Sequence, residues 1–329
     1  METQPYRWGL VGAGWMARAM ADDIALSKRV QLAGVYSRSE ASTRAFSKEY
    51  GARPYSSLEA LLADPEIDVI NITTPNQLHF EQTQQALEAG KHVLLEKPFT
   101  LNTAQAERLV QLAHKEKRFL MEAMWVRFLP IQKSLNKVLS DPKNGKLRLV
   151  QASFHGKPPR EPDNRFFNPA LGGGSLMDLG VYSLSFVLSL FGQDAHKITS
   201  SAVMAASGVD ESMAAILEFS NGAQAQISAG FDGNFRHAIR IHTTQVSIEI
   251  PLTNGWQQRE LHLYRNGELE KTIEKPLKGR GYFHEVEAVV DCLDRGQTQN
   301  ELLPLEHTLR VMRHMDALRA QWGLVFPGE

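Results

Sequence analysis

Between residues 8 and 122 the chain alternates short apolar runs with helix-patterned stretches, and that rhythm limits its fold more than any other feature. Residues 8–11, 29–36, 68–72, 91–95 and 119–122 are runs of strand length, rich in Val, Leu and Ile. Helical patterns fill the gaps between them. Ser39 is placed to cap one helix and Gly51 to end it. Ser56-Ser57-Leu58-Glu59 reads as a capping box ahead of Leu61-Leu62, and Gly90 closes the helix before residues 91–95. This alternation predicts a parallel sheet with right-handed crossovers and helices on both faces. Ligands of such sheets bind outside the carboxyl ends of the strands. Chemistry is therefore expected at residues 12–15, 37–38, 73–76 and 96–98.

From about residue 147 the pattern changes. Residues 147–154, 198–206, 213–219, 223–231, 238–243 and 261–264 are strand-like, with turn signals at Asn221-Gly222 and Asn266-Gly267. Strands without intervening helices predict an open, mostly antiparallel sheet. Helices at 175–190, 282–293 and 305–322 are expected to cover one face of it. At 329 residues the chain exceeds one ordinary domain. The expected fold class is α/β: an N-terminal doubly wound domain of Rossmann type over residues 1–122, and a C-terminal α/β domain on the open sheet over residues 123–329.

Composition narrows the function. With 43% hydrophobic and 22% charged residues the chain is of globular type, and its net charge of −1 offers no pull toward nucleic acid or an anionic membrane. Cys292 is the only cysteine, so no intrachain disulfide can form, which suits a reducing cytosol. No run of about 18 uninterrupted apolar residues is present. The N-terminus leads directly into Tyr6-Arg7-Trp8-Gly9-Leu10-Val11, too early for a signal peptide. A cytoplasmic location with no membrane partner is expected. No metal is expected either: His284-Glu285 lacks the second histidine of a zinc helix, and the 11 histidines form no ligand spacing. No Gly-x-Ser-x-Gly elbow supports serine hydrolysis.

Gly12-Ala13-Gly14-Trp15-Met16-Ala17 fits the G-x-G-x-x-G/A pattern, and it follows the first strand and opens a helix, the context a dinucleotide site demands. Gly12 permits the sharp turn, Gly14 lets a pyrophosphate approach the backbone, and Ala17 lets the helix pack on the sheet. The second strand ends Tyr36-Ser37-Arg38, without the carboxylate that would bind the ribose hydroxyls of NAD. Ser37 and Arg38 could instead hold a 2′-phosphate. NADP is favoured over NAD on that ground.

The glycine loop, Thr74-Pro75-Asn76-Gln77-Leu78-His79, Gly90-Lys91-His92-Val93-Leu94-Leu95-Glu96-Lys97-Pro98 and the stretch 172–182 together resemble the glucose–fructose oxidoreductase / inositol dehydrogenase / MocA (Gfo/Idh/MocA) family. Within it, Met121-Glu122-Ala123-Met124-Trp125-Val126-Arg127-Phe128 and Tyr182 look most like the dimeric dihydrodiol dehydrogenase branch, whose members oxidise trans-dihydrodiols or aldopyranoses with NADP. The resemblance implies that Glu96-Lys97-Pro98 lines the nicotinamide end of the site, with Lys97 the central catalytic residue. It also implies that Thr74, Pro75, Asn76 and His79 lie along the cofactor. Many members carry a histidine where this chain has Tyr182. The second-domain sheet often mediates assembly in that family, so a homodimer or higher oligomer is expected.

Dehydrogenation removes a hydroxyl proton as the hydride leaves, so a base is needed. Asp178 and Tyr182 are four apart in a segment read as helix after Gly172-Gly173-Gly174, which puts both on one face. A tyrosine pKa of about 10 falls by on the order of 1–3 beside an ammonium. Tyr182 is thus expected to exchange the proton, with Lys97 tuning it and binding the substrate oxygen and Asp178 positioning both. The alternative has Lys97 carry the proton itself. Trp125 and Phe154 are candidate apolar walls of the substrate pocket, or interdomain core aromatics. Arg127 and Arg165 are candidate contacts to cofactor or substrate oxygens. The expected reaction moves a hydride between the nicotinamide and a cyclic sugar or vicinal diol. Two other readings stand beside it: a catalytically silent NAD(P)-binding regulator, and nicotinamide-assisted glycoside cleavage or epimerisation.

Overall fold

In the computed structural model the described residues are 4–161, 164–233, 237–253, 257–327 and 329. The chain divides into two compact units, residues 1–128 with 278–308, and residues 129–277 with 309–329.

The first unit follows the strand–helix alternation. Its elements are β1 (Tyr6–Val11), α1 (Trp15–Ile24), β2 (Val30–Tyr36), α2 (Glu40–Tyr50), β3 (Arg53–Pro54), α3 (Leu58–Ala63), β4 (Val69–Ile72), α4 (His79–Glu88), β5 (His92–Glu96), α5 (Thr103–Glu116) and β6 (Leu120–Ala123). The sheet order is β3-β2-β1-β4-β5-β6, and every pairing is parallel. β4 and β6 are buried at every position, as strands covered on both faces must be, and each carries one buried polar residue, Asn71 and Glu122. Strand order reverses between β1 and β4, the switch point where such sheets take ligands at their carboxyl edge. The caps are those the sequence suggested. Ser39 accepts the Ser42 amide at the start of α2, Gly51 ends α2 in the left-handed region, and Ser57 caps α3.

The second unit begins with α6 (Pro130–Ser140), β7 (Leu147–His155) and α7 (Val181–Phe191). It continues through β8 (Lys197–Met204), β9 (Asp210–Glu218), β10 (Gln224–Gly230), β11 (His237–Thr243), β12 (Ser247–Thr253), β13 (Gln257–Gln258), β14 (Glu260–Arg265) and β15 (Glu268–Glu274). The sheet runs β15-β14-β12-β11-β7-β10-β9-β8, with β13 paired to β12. One pair, β7 with β10, is parallel and the rest are antiparallel, so the open, mostly antiparallel sheet expected from the sequence is present. β9 and β10 alternate buried and accessible positions, and α7 packs on β7 and β10. The segment Pro169–Phe191 is long and apolar enough to cross a membrane by length and composition, but 78% of its most apolar window is buried inside the protein, as a core helix would be.

The last elements are α8 (Phe283–Asp294) and α9 (Leu305–Trp322). The helix expected at 282–293 to cover the second sheet lies elsewhere: α8 belongs to the first unit and packs on α1. The reason is polar. The Asp23 carboxylate in α1 accepts the amides of Arg280, Gly281 and Phe283 at 2.9–3.0 Å and so caps the start of α8. Arg29 then pairs with Glu287, Asp291 and Asp294 at 2.8 Å.

Candidate active site

At the carboxyl edge of the first sheet the loops after β1, β4 and β5, three adjacent strands, stand side by side. The turn after β1 is pinned from both sides: the Gly12 amide donates to Tyr36 O at 2.8 Å, and Thr73 donates to Val11 O through its amide (2.8 Å) and its hydroxyl (3.1 Å). Gly12 has φ of +111°, and a Cβ there would lie 2.5 Å from Thr73 Oγ1. No side chain fits. Gly14 differs: a Cβ on it meets nothing within 4 Å, so protein packing does not demand glycine there. Gly14 is also the N-cap of α1, which has no side-chain cap and no acidic residue in its first turn. The first-turn amides and the positive end of the helix dipole therefore have no carboxylate of the helix's own first turn to bind, and they suit a pyrophosphate. Ala17 is buried against the sheet, Ala13 and Met16 are half-buried, and Trp15 is 68% exposed beside the loop.

Beyond β2, the Ser37 hydroxyl is engaged with Thr43 Oγ1 (2.9 Å) and Ser39 O (3.0 Å), while Arg38 is exposed. The turn thus presents a guanidinium and no carboxylate, a donor set that fits a phosphate.

The loop after β4 is tied to the loop after β5 by His79. Its buried ring places Nδ1 2.8 Å from Pro98 O and Nε2 2.9 Å from Thr74 O. The residue aligns two loops rather than presenting a group to solvent. Thr74 Oγ1 donates to Gln82 at 2.6 Å, Pro75 opens the short turn Asn76–Leu78, and Asn76 is buried. At the end of β5 Glu96 is buried and accepts the Lys97 amide at 3.3 Å, Lys97 is half-buried, and the Lys97–Pro98 bond is cis.

The first unit also holds several buried side chains of unusual environment. Trp125, considered as a pocket wall, is only 4% exposed and packs against Tyr282 with ring centroids 5.2 Å apart. It is interior to the first unit. Glu285 is fully buried with neither carboxyl oxygen hydrogen-bonded; burial first, then the Glu96 and Asp23 carboxylates, push its pKa well above the usual range. Burial also raises Glu122 to about 7, against the opposing hydrogen bond from Thr308 at 3.1 Å. Arg127 is lowered to about 10 by desolvation and donates to Leu302 O at 3.4 Å. Among the described residues no group of three or more His, Cys, Asp or Glu could hold a metal.

In the second unit the glycine run meets a turn at Arg165–Phe167. A Cβ on Gly173 would fall 2.7–2.9 Å from the carbonyls of Arg165, Phe166 and Asn168, and one on Gly174 would strike Asp210. Asp210 accepts both Ser175 Oγ and the Leu176 amide at 2.7 Å and so caps the helical segment. Desolvation raises its carboxyl to about 6. Residues Leu176–Gly180 form a π-helical turn and the α-helix starts only at Val181. Asp178 therefore lies in the π-turn and Tyr182 in the first turn of the α-helix that continues it, still four residues apart along one helical segment. Asp178 Oδ1 is 3.5 Å from Arg165 Nη2. Tyr182 is 7% exposed, and Phe154, itself 1% exposed, stacks on it at 5.6 Å with planes 21° apart. Phe154 is therefore support for the phenol ring rather than an open wall. Residues 162 and 163 of the pocket-shaping stretch 157–170 lie outside the described residues.

This fold, with an anion-binding turn at its switch point, defines an NAD(P)-dependent oxidoreductase. Residues 6–124 match the family profile described as "Oxidoreductase family, NAD-binding Rossmann fold", and residues 133–249 match the GFO/IDH/MocA C-terminal domain. The chain belongs to the Gfo/Idh/MocA family. It is 30% identical to trans-1,2-dihydrobenzene-1,2-diol dehydrogenase of Xenopus tropicalis, covering 98% of this chain and 99% of that one. It is 28% identical to D-xylose 1-dehydrogenase (NADP(+)) of Hypocrea jecorina, covering 98% and 94%. The aldose-aldose oxidoreductase of Caulobacter crescentus shares the fold with a TM-score of 0.88 at 24% identity, over 98% of this chain and all of that one.

Proposed function

We propose that the protein is an NADP-linked dehydrogenase or reductase of a cyclic sugar or vicinal diol. The observation that carries the reading is the turn at Gly12–Gly14, an uncapped helix start with open space at Gly14, joined to an exposed Arg38 where an NAD site would carry a carboxylate. The full-length relatives named for a dihydrodiol and for xylose with NADP support the substrate class.

When bound, the nicotinamide accepts or supplies the hydride. In oxidation, Tyr182 takes the proton of the substrate hydroxyl, Lys97 binds the oxygen as charge develops on it, and Asp178 accepts a neighbouring hydroxyl. The glycine turn, Ser37 and Arg38 hold the cofactor's phosphates, and the His79-linked loops give Lys97 a fixed base. The protein works in the cytoplasm as a homodimer through the open face of the second sheet, where Val203, Met204 and Ile216 are exposed on β8 and β9. The single cysteine supports the location. A sharp monomer in light scattering contradicts the dimer.

A panel of aldoses, inositols, dihydrodiols and dicarbonyls, followed at the nicotinamide absorbance with each cofactor, tests the reading. Turnover with NADP on one of these supports it. Tight cofactor binding with no turnover across the panel overturns it in favour of a regulator.

A further inference from the structure

Arg165 is held from several sides within the second unit. Asn164 accepts the Phe166 amide at 3.1 Å and so fixes the turn that carries the arginine. The turn is knitted to the glycine run, since Gly174 N donates to Phe166 O at 2.9 Å and Gly173 N to Asn168 O at 3.0 Å. Phe166 and Phe167 both pack on Phe231 with centroids 5.4 Å apart. The Arg165 guanidinium lies 4.1 Å over the Phe166 ring and reaches Asp178 at 3.5 Å. Its side chain is 49% exposed against 16% for Asp178, so the cation forms the outer member of the pair.

A carboxylate held this far from solvent needs a partner cation, and a planar guanidinium stacked on a ring has few other orientations to visit. The pair carries no net charge, which suits an uncharged hydroxyl better than an anionic ligand.

We infer that Arg165 is a substrate-positioning residue that acts through Asp178, holding its carboxylate where it receives one hydroxyl of a neutral polyol. The inference rests on the sugar or diol reading above.

The test compares wild type, Arg165→Ala, Arg165→Lys, Asp178→Asn and the double variant Arg165→Ala/Asp178→Asn, all as full chains. Arg165→Ala raises the polyol KM about tenfold, as loss of one charge-assisted contact would, while kcat falls less than about threefold. The KM for NADP stays unchanged. The double variant is no worse than the poorer single one, Arg165→Lys recovers part of the loss, and added guanidinium ion restores Arg165→Ala. An unchanged polyol KM in Arg165→Ala, or equal losses in both kinetic constants with no rescue by guanidinium, overturns the inference. If the wild type turns over none of the panel, calorimetric titration of xylose and myo-inositol into NADP-loaded protein decides. Tenfold weaker binding by Arg165→Ala then supports the positioning role although the functional reading has failed. Equal binding, or none by the wild type, overturns both.

Discussion

A β-carbon added to Gly12 would stand 2.5 Å from Thr73 Oγ1, whereas one added to Gly14 would meet nothing within 4 Å. Two glycines of one loop thus differ: the protein's own packing requires the first and does not require the second. Gly12→Ala is expected to lower stability by about 1–3 kcal/mol, from the left-handed φ and the contact together, and to abolish cofactor binding. Gly14→Ala should leave the melting temperature within about 1 °C while weakening NADP binding tenfold or more. Thermal unfolding and cofactor titration of both variants separate the two roles. Equal melting temperatures would contradict the packing account of Gly12.

Arg38 should set the cofactor preference. Replacing it by Asp removes the guanidinium and supplies the carboxylate that binds ribose hydroxyls, so the ratio of kcat/KM for NADP over NAD should fall by at least tenfold. An unchanged ratio would place phosphate recognition elsewhere.

The Glu122 carboxyl is raised to about 7 by burial, so the folded chain holds its proton more tightly than the unfolded chain does. Its stabilising contribution is complete below the ordinary carboxyl range and disappears as pH rises through about 7. By pH 8 the buried carboxylate costs on the order of 3 kcal/mol. Glu122→Gln keeps an acceptor for Thr308 and removes that cost. The variant should match the wild type near pH 4 and melt several degrees higher at pH 8. A difference that does not change with pH would refute the assignment.

Much of this was visible in the sequence, and what was not has physical reasons. The strands of the first sheet and the caps Ser39 and Ser57 are local features, encoded by burial on both faces and by hydroxyls at helix starts. β3 escaped because Arg53 and Pro54 are exposed and only two residues pair. The π-turn under Asp178 escaped because an apolar run around Gly180 fits either helical period. Long-range polar contacts were the largest loss. Nothing near Asp23 points to the amides of residues 280–283, and nothing near Asp210 points to Ser175. The ring contact of Trp125 with Tyr282 was not legible because the two residues are far apart along the chain.

The Asp23 carboxylate gathers the amides at the start of α8, and Gly279 passes so close that any side chain there would strike it. Asp23→Ala should destabilise the protein by about 2–4 kcal/mol, since three buried or part-buried amides lose their acceptor at once. Hydrogen exchange should rise first across residues 280–294. Uniform exchange with an unchanged melting temperature would contradict this.

In the reaction proposed above, Lys97, on the loop after β5, binds the substrate oxygen, and Tyr182, at the start of α7, takes the proton. The most direct measurement is single-turnover reduction of NADP by a panel substrate with wild type, Lys97→Ala and Tyr182→Phe, each checked for NADP binding. Loss of about 100-fold or more in both variants, with NADP still bound, is the predicted result. Near-normal rates in Lys97→Ala with NADP bound would remove Lys97 from the chemistry.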